Sequence, residues 1–310
     1  MMMLASESPA LLGMPVAVLA LTVSLLSFAV AISALGWQIA KHRLDGGRPK
    51  VYLNSAIWEP SSKIMVNRSG EWGIDTSGLW KPGDENLELA QLVVENPGRT
   101  AITVYTPGLA IVGTNNSDYT ISPRFFELKG YGADSSTNET SVRIEPYDRV
   151  TFLLDLWSVI PRVLREANGG NVQIRGCVLV AGRAKLCQSP KRRAWSIAPD
   201  TWTFRKDLTE ISPFTVIWRE LFKANAKRGS SESEEDPFPD YRLGVVIRTA
   251  MQQFPDRPDV RDFIAALRQA DRQEDPSAFR YSQLIMSMDD CLDHHSNHLS
   301  AWSFSSDSST

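Results

Sequence analysis

Between Glu7 and Lys41 the chain carries no charged side chain, and from about Met14 to Trp37 it is mostly Ala, Val, Leu and Ile. Crossing the hydrocarbon of a bilayer takes about 20 apolar residues. Residues 14–40 therefore read as a transmembrane helix, with Trp37 placed for the interfacial belt. A cleaved signal peptide is the rival reading, and Ala29-Val30-Ala31 has the small-x-small cleavage pattern. The stretch ahead of the run holds Glu7 and no basic residue, and the apolar part exceeds the usual length of about 7 to 15 residues, so an uncleaved signal-anchor is preferred.

Lys41, Arg43, Arg48 and Lys50 follow the span, whereas residues 1–13 offer only the terminal amine. Basic flanks stay cytoplasmic. The expectation is a single-pass protein of the cell membrane with a short non-cytoplasmic head and a cytoplasmic carboxy-terminal part. The glycosylation triplets at Asn67, Asn115 and Asn138 are then accidental. Three cysteines are too few for a disulfide framework and fit a reducing compartment. Cys177 and Cys187 flank a hairpin through Gly182: a two-residue loop sets them on opposite faces, a three-residue loop directly across from each other. Within the span, Ala20, Ser24, Ser27, Ala31 and Ala34 recur at steps of four and three. Small residues let helix backbones approach closely in lipid, so this stripe is a candidate face for homo-oligomer formation.

Beyond Pro49 the pattern turns to period two with β-branched residues, and turn chemistry separates the runs. Strands are expected at Val51–Trp58, Leu87–Glu95, Thr100–Val112, Tyr119–Leu128, Ser141–Glu145, Arg149–Leu156, Val172–Val180, Lys185–Gln188 and Trp195–Ile197, with one helix near Ser158–Ala167. That spacing predicts a mainly β chain, residues 50–205 forming an antiparallel β-sandwich of the immunoglobulin-like class. Trp37, Arg43, Arg48, Pro49 and Val51 form W-x5-R-x4-RP-x-V; Val94, Asn96, Gly98 and Arg99 form VxNxGR; an EPYDRVTF stretch follows. On these motifs the first 200 residues or so resemble uncharacterised single-pass bacterial membrane proteins with a β-sandwich behind an N-terminal anchor. The resemblance implies architecture and no activity.

Between Arg68 and Asn86 a Gly-rich loop carries Trp72 and Trp80. They are the candidate ligand contacts, able to stack on a sugar or a partner's side chain, with capping of the core the commoner fate of such rings. In the α-helical tail, residues 206–228 read as an amphipathic helix begun by Ser212-Pro213, with Phe214, Ile217, Trp218, Leu221 and Phe222 on one face and Arg219, Lys223, Lys227 and Arg228 toward the other. It docks on the sandwich or, less favoured, lies on an anionic leaflet. Residues 229–239 form a disordered acidic linker, 240–295 a small helical unit and 296–310 a disordered tail. Near the end, Asp290, His294 and His298 at steps of four would share a helix face able to hold a divalent metal, against the plainer reading of a solvated helix end.

The formal charge of −3, with acids and bases interspersed, argues against nucleic acid as partner. No HExxH, GxSxG, GxxxxGK[ST] or post-strand GxGxxG motif occurs, so no catalytic residue and no cofactor is assigned. The preferred expectation is a membrane-tethered interaction or ligand-binding module whose protein or ligand partner is not named by the sequence. The alternatives are an oligomerising membrane effector of prophage or host-defence type and an enzyme of unrecognised class.

Overall fold

A computed structural model describes residues 10–11, 14–60, 63–77, 85–114, 118–128, 136–225, 239–274 and 284–302. Helix α1 (Val16–Asp45) contains one stretch, Val16–Lys41, long and apolar enough to cross a membrane, and none of it is buried against the rest of the protein. A short Gly46-Gly47-Arg48-Pro49 link leads directly into the first strand.

Two antiparallel sheets follow. The first contains β1 (Lys50–Glu59), β2 (Lys63–Val66), β3 (Leu87–Glu95), β6 (Phe125–Phe126) and β8 (Arg149–Leu154), in the order β2-β1-β3-β8-β6. The second contains β4 (Ile102–Val112), β5 (Tyr119–Ile121), β9 (Val172–Val180) and β10 (Cys187–Gln188), in the order β10-β9-β4-β5. β7 (Ser141–Ile144) also pairs with β4, and β11 (Trp195–Ile197) with β9. Tyr119 to Leu128, expected as one strand, divides at Pro123: β5 pairs in the second sheet and β6 in the first. Proline has no N–H for a ladder, so the chain changes sheets there. The short helix α2 (Ile160–Glu166) has Pro161 in its first turn, where the missing donor costs nothing.

Period-two alternation gives β3 two apolar faces. Ala90, Leu92 and Val94 point to the second sheet, where they share a core with Val104, Ile111, Val172 and Ile174. Leu87 and Leu89 point the other way, onto Phe214, Ile217, Trp218 and Leu221 of α3 (Pro213–Asn225). Burial on both faces explains why LELAQLVVE is so apolar. The same second core takes in α4 (Pro239–Met251), α5 (Val260–Glu274) and α6 (Leu284–His294).

The helices are therefore packed as a third layer on the first sheet rather than as a separate unit. Residues past α6 belong to it as well: Ile211 N–H donates to His298 O and Ser300 N–H to Ile211 O, while Trp302 is buried. Residues 229–238 of the expected linker and 303–310 of the expected tail lie outside the described residues.

Candidate functional site

A cavity of about 320 Å³ opens where the start of β3 meets α2, α3 and α6. Each wall has a local cause. Leu87 and Glu88 come from the start of β3; Trp157, Ser158 and Pro161 from the turn after β8 and the first turn of α2; Val216, Arg219, Glu220 and Lys223 from α3 at helical spacing; Cys291, His294 and His295 from the end of α6; and Trp202 from the segment after β11. The site lies at the end of the sheet away from helix α1. Lys50 pairs with Glu95 at the near end, and Glu88 is seven residues farther along β3, roughly 23 Å at the rise of a strand.

Buried charges line this cavity, and most are already paired. Glu88 is fully buried and accepts hydrogen bonds from Arg219 Nη2 at 3.2 Å, Thr203 Oγ1 at 2.8 Å and Phe204 N at 3.1 Å. The Arg219 guanidinium also donates to Asn86 O at 2.9 Å and Asn86 Oδ1 at 2.7 Å, closing over the end of the strand. One helical turn later, Lys223 Nζ lies 3.0 Å from Glu220 Oε1 and 3.2 Å from Asp155 Oδ1. Burial acts to lower the Lys223 pKa, but the two carboxylates outweigh it and hold the ammonium above its usual value.

The potential nucleophile and base are both neutral. Burial pushes the Cys291 thiol up to about 12. Burial, with His294, Arg219, Lys223 and His298, lowers His295 to about 3. Cysteine catalysis requires thiolate, so this pair does not support it at neutral pH. His295 has an acid-stability consequence. Unfolded histidine takes up its proton near pH 6.5, whereas this imidazole resists it down to about pH 3. The stability contribution is complete above the unfolded value and is lost as the pH falls between those limits, about 2 kcal/mol by pH 5. His295→Gln is expected to remove that share of the acid loss. Urea titrations at neutral and mildly acid pH check it, and an unchanged difference between the two would refute the assignment.

The sequence candidates fall in several places. α6 ends at His294, so His298 leaves the helical register and stacks on Trp202 with ring centres 4.8 Å apart. Among the described residues no group of three His, Cys, Asp or Glu side chains is arranged to hold a metal, and Asp290, His294 and His298 do not form one. Trp72 packs against Trp157, Trp195 and Phe204, with centroids 5.0 to 6.1 Å apart, and borders a shallower hollow of about 300 Å³. Trp80 and Asn115 lie outside the described residues. Ala20, Ser24, Ser27, Ala31 and Ala34 are exposed on α1.

At the hairpin, Cys187 pairs with Val178 and Gln188 with Cys177, so the two thiols occupy opposite faces; all three cysteines are free. The Asn67 amide is engaged in its own turn, donating to Gly73 O at 2.9 Å and accepting from Ser69. Sequence reasoning missed Glu88, Asp155 and Trp202. The available signal was the Glu88 carboxylate interrupting the apolar residues of LELAQLVVE, with basic residues one turn apart on α3. Compared with known protein families and with curated proteins, the chain matches no family model and no curated sequence.

Proposed function

We propose that this chain is a membrane-tethered ligand-binding module whose body faces the cytoplasm, with the cavity between β3, α2, α3 and α6 as its ligand site. The observation that carries the reading is a cavity of about 320 Å³ whose buried charges are largely paired and whose thiol and imidazole are neutral. Such a lining is preorganised for recognition and poor in groups poised for proton transfer or attack. The orders β1-β3-β8 and β10-β9-β4 support placing the sheets in the immunoglobulin-like sandwich class. Placing the mouth away from α1 suits ligands arriving from solution, and tethering concentrates the module at the membrane.

Native mass spectrometry of the full chain, mixed with small molecules from a cell extract, tests the site. The wild-type protein is expected to retain a bound species that Ser158→Trp, an indole placed at the mouth, excludes. Identical species on both proteins, or none on either, would remove the reading. The cytoplasmic side rests on the basic flank after α1, and digestion of the sheets by protease outside intact cells would overturn it.

A further inference from the structure

We propose that the cavity takes a small zwitterion of amino-acid size bearing an aromatic or branched apolar group, an inference that rests on the cavity being a ligand site. The unpaired charges in its lining point to this class. Arg219 is bound to Glu88, and Lys223 to Glu220 and Asp155. Two opposite charges remain, Arg165 on α2 and Asp290 on α6. Both are exposed, and neither side chain makes a hydrogen bond or ion pair among the described residues. Both line the same cavity, Asp290 one helical turn before His294 on α6.

A ligand with a single charge would satisfy one of these groups and face a like charge in the other. A carboxylate and an ammonium on one carbon skeleton complement both. The rings of Trp157 and Trp202, with Leu87, Val216 and Pro161, supply an apolar wall for the side group. Size narrows the class further. The volume is that of about ten water molecules, room for about ten to twelve non-hydrogen atoms.

Calorimetry on the full chain in lipid nanodiscs, with phenylalanine, 2-phenylethylamine and 3-phenylpropionate as probes, separates the alternatives. Phenylalanine is expected to bind at least about tenfold more tightly than either singly charged analogue. Arg165→Gln is expected to reduce its affinity to the level of the amine, and Asp290→Asn to that of the acid. Both positions are exposed and make no ion pair among the described residues, so the variants should fold normally. Equal binding of the acid or the amine overturns the zwitterion while leaving a ligand site in place, as does phenylalanine affinity unchanged in both variants. No binding by any of the three also overturns it, and the exclusion of native ligands by Ser158→Trp then decides the underlying reading separately.

Discussion

Arg219→Met is expected to destabilise the folded body by about 3 to 5 kcal/mol, because it leaves a buried carboxylate without its cation. The Glu88 side chain is fully buried, and the Arg219 side chain is 10% exposed. Thr203 and Phe204 would continue to donate to Glu88 without compensating its charge. Asn86 would lose the guanidinium from both its backbone carbonyl and its side-chain oxygen. The double variant Glu88→Gln with Arg219→Met should recover a large part of the loss, since the uncompensated charge is gone and the methionine stem still packs. Urea unfolding of the two single variants and the double variant supplies the cycle. A loss below about 1 kcal/mol in Arg219→Met would mean that the pair is solvated in solution and that the cavity wall is built otherwise.

That pair also marks the limit of what the sequence disclosed. β3 and β11 were legible because alternation and turn chemistry are local, and Leu87–Glu95 and Trp195–Ile197 occur at the expected residues. The partner of Glu88 lies 131 residues away. Helical spacing sets Arg219 and Lys223 off the apolar stripe of α3, yet both are buried there, and only the packed sheet supplies the carboxylates that pair with them. The same distance effect governs the carboxy-terminal histidines. Steps of four presuppose a continuing helix, whereas the chain after His294 turns back, its His298 N–H donating to His295 O at 2.8 Å. Trp202, almost a hundred residues earlier, then receives the His298 ring. Trp72 likewise finds its ring partners far along the chain, at Trp157, Trp195 and Phe204.

The motifs behind the resemblance acquire one physical explanation in Asn96. This fully buried side chain accepts from Arg48 N and Gly98 N, each at 3.2 Å, and donates to Thr100 O at 2.9 Å, Glu145 O at 3.2 Å and Ile144 O at 3.3 Å. It thereby joins the residues after the span, the NPGR turn and the start of EPYDRVTF. Gly98 is required by the same junction, since a Cβ there would collide with Gly46 O and crowd Arg48 N. Arg99 and Asp45 add an exposed ion pair at 3.5 Å, worth little alone. Helix α1 is thereby tied to the sheets by side-chain contacts as well as by the chain itself.

Asn96→Ala removes all five side-chain hydrogen bonds and leaves backbone groups of three segments without that partner, those of Ile144 and Gly98 in buried positions, a loss expected at about 3 to 5 kcal/mol. Hydrogen exchange of the full chain in nanodiscs reads this junction directly. The Arg48 and Gly98 amides should lose protection first, while β9 amides such as Ile174, deep in the shared core, remain protected until global unfolding. Protection at Arg48 and Gly98 unchanged by the substitution would show that the link between span and sheets is held elsewhere, and that Asn96 follows the junction rather than creating it.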